Sequence, residues 1–210
     1  MILLGHRGAR ASRQFPENSL ESFELCLEHG CNGFEFDVRR SADGIAVICH
    51  DPEVRGLQIE STAAAQLSLP TLEDVLERFS TRAFLDIELK VAGTEKQLAA
   101  ALSAHPPARG FVVSSFLPAV LVAVSEFDHN IPFGFLYEGE DQRAPTGLPV
   151  AWMIPHFTLV NRELIEQGHS AGSRIMTWTV NRADEMRRFA ESGVDAIISD
   201  ETELLVRTCR

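Results

Sequence analysis

GFEFDVRRSADGIAVICHDP, residues 33–52, is the stretch on which the fold turns. GFEFDV has the make-up of a buried β-strand, yet it carries Glu35 and Asp37 two positions apart. Side chains at i and i+2 of a strand point the same way, so both carboxylates face one direction. Asp43-Gly44 marks a hairpin turn, and a short return strand then leads to His50 and Asp51.

Outward from this stretch, apolar strand-like segments alternate with helical ones. Upstream, MILLG predicts a strand and NSLESFELCLEHG a helix. That helix has Asn18 or Ser19 as N-cap, Leu20, Phe23 and Leu27 at helical spacing, and Gly30 as its stop. Downstream, PTLEDVLERF starts a helix at Pro70 and Thr71, and AFLDIELK with TEKQLAAALSAH gives a strand and its helix. GFVVSSF and PAVLVAVSEF repeat the pair, whereas IPFGFLY leads into a loop over 137–149 with little helical pattern. VAWMI with NRELIEQGHSAG, RIMTWTV with ADEMRRFAESG, and DAIIS with TELLVRTC complete the series.

Eight strands, most followed by a helix, imply parallel strands joined by right-handed crossovers. The expectation is an α/β protein, a closed (β/α)8 TIM barrel forming a single domain over residues 1–210. An open doubly wound sheet is the alternative.

A net charge of -11 argues against a general nucleic-acid or anionic-membrane surface. An anionic substrate would therefore need local cations, from a metal or from placed Arg and Lys. Cys26, Cys31, Cys49 and Cys209 show no zinc-type spacing and read as free thiols of a reducing compartment. MILLGHRGAR has too short an apolar run for a signal peptide, and no stretch approaches the ~18 apolar residues of a membrane span. The expectation is a cytoplasmic protein with a small-molecule partner, no nucleic acid and no membrane span. The oligomeric state stays open.

In a barrel, polar residues near the C-terminal ends of buried strands stand out. Glu88 and Lys90 repeat the Glu35/Asp37 arrangement on the third strand, and Asp86 shares their parity at a deeper level. Three carboxylates on neighbouring strands repel one another unless a cation lies between them. Their oxygen ligands suit Mg2+ or Ca2+ better than zinc. A buried salt-bridge network with Lys90 and an Arg is the plainer reading.

His6 and Arg7 end the first strand at the same mouth, and His50 ends the excursion after the second. Two histidines flanking a cation site suit proton transfer near neutral pH. Arg7 can grip a phosphate with two parallel hydrogen bonds, and Lys90 adds a point charge. Trp178 and Asn181 lie near the mouth at strand seven, and His156 follows strand six; Glu17 and Asn18 lie in the loop of the active face. His29, His105 and His169 sit near helix ends and His129 in a loop, where surface roles are the simpler reading.

Together these segments, with PTLEDVL, LDIELK, TWTVN and GVDAIISD, resemble the glycerophosphodiester phosphodiesterase family over almost the full chain. The ordered set His-Arg, Glu-x-Asp, His-Asp carries the likeness. The resemblance implies a (β/α)8 barrel that hydrolyses glycerophosphodiesters to glycerol 3-phosphate and an alcohol with one divalent cation, Mg2+ or Ca2+. It implies Glu35, Asp37 and Glu88 as metal ligands, His6 and His50 as acid/base residues, and Arg7 and Lys90 at the phosphate. Glu17 and Trp178 match positions around the substrate. Family members usually carry a longer insertion after the His-Asp pair, often with an Arg-Thr-Thr run. Against that pattern residues 52–69 are short and lack the run, so the resemblance implies a barrel with a shortened insertion after strand 2.

The alternatives are a related phospholipase-D-like phosphodiesterase acting on lysophospholipids or sphingolipids, and a non-catalytic phosphodiester-binding barrel. The latter predicts loss of one of His6, His50, Glu35, Asp37 or Glu88, and all are present.

Overall fold

The computed structural model describes every residue except 140 and 143, which lie within the loop 137–149. Strand alternation builds the fold from β2 outward. In β2 (Gly33–Arg40), Phe34 and Phe36 turn towards α1 (Leu20–Glu28), where Phe34 stacks on Phe23 at 4.2 Å between ring centroids. The opposite face carries Gly33, Glu35 and Asp37 into the barrel.

The other barrel strands are β1 (Ile2–His6), β3 (Phe84–Leu89), β4 (Phe111–Ser115), β5 (Phe133–Tyr137), β6 (Val150–Pro155), β7 (Arg174–Thr177) and β8 (Ala196–Ser199). All pair in parallel with their neighbours, and the β1–β2 and β1–β8 ladders close the ring. The closed barrel and its eight parallel strands are those expected from the sequence pattern, and closure leaves no exposed barrel edge.

Two apolar layers hold this ring. Leu4, Phe84, Val112, Leu136, Trp152, Ile154, Met176 and Ile198 fill the interior, while the other strand faces pack against the helices. Large interior side chains require small partners. A Cβ on Gly134 would stand 2.6 Å from Ile154 Cδ1, and one on Gly33 only 1.8 Å from the Phe84 carbonyl oxygen.

The helices that follow α1 are α2 (Ala64–Leu67), α3 (Leu72–Phe79), α4 (Glu95–Ala104), α5 (Pro118–Ser125), α6 (Arg162–Ser170), α7 (Ala183–Ser192) and α8 (Thr202–Cys209). Ser19, one of the two expected caps, accepts from the Ser22 amide to start α1, and Thr71 starts α3 through a capping box with Asp74. Among the described residues no helix stands between β5 and β6, in keeping with the weak pattern there. None of the helices is long and apolar enough to cross a membrane.

The excursion after β2 is short but folded. Ala46–Ile48 runs antiparallel to the distal half of β2, with Val38 opposite Ile48 and Arg40 opposite Ala46. Gly44, at φ 83°, supplies the left-handed residue of the turn. Glu53–Val54 then pairs with Leu57–Gln58, and Val47, Ile59 and Leu67 form a small core of their own beneath them.

The Phe34–Phe23 contact makes a stability prediction. Phe34→Ala removes a fully buried, stacked ring and costs about 3–5 kcal/mol, whereas Phe127→Ala, at a side chain 53% exposed, stays within about 0.5 kcal/mol of the parent. Urea unfolding of the two variants checks the contrast.

Candidate active site

Parity and register bring the acidic residues together. Asp37 on β2 lies opposite Glu88 on β3, and Glu35 lies opposite both Asp86 on β3 and His6 on β1. All four carboxylates are buried, and ligand oxygens of Glu35, Asp37 and Glu88 lie within 4.8 Å of one another. Burial first, and then the neighbouring carboxylates, push the Glu35 pKa far above its ordinary value. Burial likewise pushes Asp86 and Glu88 up to about 7.

The protein supplies only part of the compensation. Lys90 Nζ lies 2.6 Å from Glu88 Oε1 and 3.4 Å from Asp37 Oδ1, and Arg7 Nε lies 3.3 Å from Asp37 Oδ2. Asn18 Nδ2 donates to Asp37 Oδ2 at 2.8 Å, and Ser114 Oγ donates to Asp86 Oδ1 at 2.6 Å. Glu35 Oε1 is buried with no hydrogen-bond partner. Among the described residues four carboxylates thus face two cations, Arg7 and Lys90, which leaves two negative charges when all four are ionised. Hard oxygen donors, an orphaned buried oxygen and that charge balance suit one divalent cation of the Mg2+ or Ca2+ type.

The turn after β1 sets the rest of the site. Arg7 has φ 54°, an uncommon conformation for a residue other than glycine, held on three sides. Its N–H donates to Glu35 Oε2 at 3.0 Å, and its carbonyl accepts from the Asn18 amide at 3.0 Å and Ser22 Oγ at 3.3 Å. The guanidinium reaches the cavity, and its Nη1 donates to Glu17 at 2.8 Å.

His6 Nδ1 lies 2.7 Å from Asp200 Oδ1, while its Nε2 is turned inward, 3.9 Å from Glu35 Oε2. Asn181 fixes Asp200 from two sides, donating to its Oδ2 at 2.7 Å and accepting from its backbone N–H at 2.9 Å. Burial raises the Asp200 pKa, but the hydrogen bonds of His6 and Asn181 and the charge of Arg10 outweigh it and bring the value to about 2. Asp200 is therefore a carboxylate and accepts the His6 Nδ1 proton. His50 is paired in the same sense, with Nδ1 2.7 Å from Asp51 Oδ1. Burial lowers the His50 pKa against the pull of Asp51.

These residues border a cavity of about 330 Å3 at the barrel mouth. His6, Arg7, Glu35, His50, Glu88 and Lys90 line it; Phe116, Leu136, Trp178 and Ile198 give it apolar surface, and Glu138 adds a further carboxylate. Trp178 is fixed by its indole N–H, which donates to the Ile154 carbonyl at 3.0 Å, and by edge contacts with Phe116 and His156.

The structure thus brings together His6, Arg7, Glu35, Asp37, His50, Glu88, Lys90 and Trp178. Glu17 lies to the side, bonded to Arg7 and Arg10 and lining an adjoining cleft. His156 reaches the mouth only through its contact with Trp178. Asn18 turns out to hold Asp37, leaving the helix cap to Ser19. Asp200 and Phe116 were not anticipated. Each stands one residue past its strand at interior parity, the same offset that Lys90 has on β3.

The profile of the glycerophosphoryl diester phosphodiesterase family matches residues 6–58 and 53–204. A glycerophosphodiester phosphodiesterase of Caldanaerobacter subterraneus subsp. tengcongensis is 27% identical over 100% of this chain and 98% of its own length. The structure of a glycerophosphodiester phosphodiesterase from Thermotoga maritima is 26% identical, with a TM-score of 0.85 over 99% of this chain and 97% of that one. An Oleispira antarctica phosphodiesterase, solved in complex with the product sn-glycerol-3-phosphate, is 25% identical, with a TM-score of 0.85 over 99% of this chain and 96% of that one. Matched across nearly all of its length by profile, sequence and fold, this chain belongs to the glycerophosphoryl diester phosphodiesterase family.

Proposed function

We propose that this chain hydrolyses glycerophosphodiesters to glycerol 3-phosphate and an alcohol, with cation assistance and paired histidines. The observation that carries the reading is the undercompensated carboxylate cluster, with both histidines on its cavity. The name of the Caldanaerobacter relative and the product held by the Oleispira enzyme support the substrate class. A cytoplasmic location belongs to the same proposal, and four free thiols accord with it.

Glu35, Asp37 and Glu88 would hold a divalent cation, whose charge would make the phosphorus more electrophilic. Arg7 and Lys90 orient the phosphate and offset its charge. With Nδ1 of His6 donating to Asp200, Nε2 carries the lone pair and faces the cavity, which suits a general base. His50 protonates the leaving alkoxide, and its lowered pKa makes its imidazolium the stronger proton donor. The nucleophile is water or the neighbouring glycerol hydroxyl. A cyclic phosphate seen by phosphorus NMR in 18O-labelled water identifies the second route.

Cation binding is expected to show in stability as well as in rate. Glu35 and Glu88 have native pKa values raised above the ordinary 4.5, so the cation-free native state holds extra protons. The stability that these two groups contribute is fully present below about pH 4.5 and falls as pH rises towards about 7. Mg2+ or Ca2+ added to chelated protein should therefore raise Tm more at pH 8 than at pH 5, by on the order of 5 °C. Equal shifts at both pH values, or full activity in chelator, would sink the cation assignment.

The histidine roles are separable by leaving group. His6→Ala and His50→Ala should each lower kcat about 100- to 10,000-fold on an alkyl diester. A p-nitrophenyl diester, whose leaving group needs no proton, should restore much of the rate in His50→Ala but not in His6→Ala. Asp200→Asn, which reverses the hydrogen bond to His6, should lower kcat at least about tenfold with KM little changed. Steady-state kinetics on both substrates decide these assignments.

A further inference from the structure

His6 and Arg7 are neighbours in sequence, and a chain of polar side chains also joins them through space. From His6 Nδ1 it runs to Asp200 Oδ1 at 2.7 Å, and Arg10 Nη1 donates to that same oxygen at 3.2 Å. Arg10 Nε donates to Glu17 Oε2 at 2.5 Å, and Glu17 Oε1 accepts from Arg7 Nη1 at 2.8 Å. Arg10 does not line the mouth cavity, yet it links the partner of Arg7 to the partner of His6.

The backbone sets this link. Arg10 begins a short 3-10 turn (Arg10–Ser12), in which the Ala11 N–H donates to the Asp200 carbonyl at 3.2 Å. The loop after β1 is thus tied to the end of β8, with the Arg10 guanidinium between two carboxylates. Burial raises the Glu17 pKa, but the hydrogen bonds and charges of Arg7 and Arg10 outweigh it, so Glu17 is a carboxylate. Arg7 already lies 3.3 Å from Asp37. A second, uncompensated carboxylate would draw its guanidinium away from a phosphate and cancel its charge. Arg10 occupies the other Glu17 oxygen and offsets that charge.

Resting on the hydrolytic reading above, we propose that Arg10 is a positioning residue for phosphate binding: by sharing Glu17 with Arg7, it leaves Arg7 the charge with which to grip the substrate. Asp200 holds Arg10 in place and keeps its bond to His6, because Asn181 fixes Asp200 from two sides. Loss of Arg10 therefore weakens substrate binding more than it slows turnover. Arg10 is exposed, and exposed ion pairs add little to stability, so the effect is separable from folding.

Steady-state kinetics on glycerophosphoglycerol, with divalent cation present, test this role. Arg10→Ala should raise KM about threefold to fivefold with kcat within about twofold of the parent. Its Tm should stay within about 3 °C of the parent. Arg10→Lys, which keeps the charge but not the fork that spans two carboxylates, should give a smaller rise in KM. Adding Glu17→Gln to Arg10→Ala removes the charge that Arg10 offsets, and should return KM to within about twofold of the parent. Arg13→Gln removes a charge from the same loop and should leave KM unchanged. An unchanged KM in Arg10→Ala, a double variant no better than Arg10→Ala, or an equal rise in Arg13→Gln would overturn the positioning role alone. No cleavage by the parent protein would overturn the hydrolytic reading and this role with it.

Discussion

Four buried carboxylates on two adjacent strands are the constraint to which the rest of the molecule answers. Glu35 and Asp37 on β2 and Asp86 and Glu88 on β3 share a barrel interior in which, among the described residues, Arg7 and Lys90 oppose their charge. The lower layers of the same interior are apolar, with Leu4, Phe84 and Met176. Removing such charges from water costs several kcal/mol each. The apolar layers between strands and helices and inside the barrel offset that cost, and rigid closure of the strands prevents the carboxylates from moving apart.

Closure also explains how three separate segments meet at one point. His6 enters from β1 because β1 pairs with β2 in register with Glu35. Arg7 follows in a left-handed turn whose backbone N–H is bonded to the Glu35 carboxylate and whose carbonyl is bonded by Asn18. Asn18 in turn donates to Asp37. The loop after β1 is thus fastened to the carboxylates themselves, and its geometry depends on the cluster that it helps to enclose.

The barrel was legible because strand and helix periodicities alternate along the whole chain, and the cluster because Glu-x-Asp interrupts a strand that otherwise reads as buried. Register was not legible. That Asp37 faces Glu88 and not Asp86 follows from the parallel pairing of β2 with β3, which no single strand reveals. Asp200 escaped for a related reason: it is 194 residues from His6 in sequence and reaches it only when β8 closes on β1. Asn18 had two local roles open to it, and its tertiary bond to Asp37 left the helix cap to Ser19. Glu17 was legible as a residue of the active face, but its bonds to both Arg7 and Arg10 were not, since they depend on how the loop after β1 folds.

The excursion after β2 shows how little chain is needed to complete such a site. Its return strand adds to the distal end of β2, beyond the point where β1 pairs with that strand, so it extends the barrel wall at the mouth and leaves the ring intact. Val47, Ile59 and Leu67 give it an apolar core separate from the barrel's own. Its sequence can therefore vary without disturbing the carboxylates, while His50, held where the return strand leaves β2, stays fixed to them. Arg39 Nε donates to the His50 carbonyl at 2.7 Å, tying that position to β2 itself. The division follows from the packing: residues anchored to β2 stay with the carboxylates, and those on the outer hairpin pack apart from them.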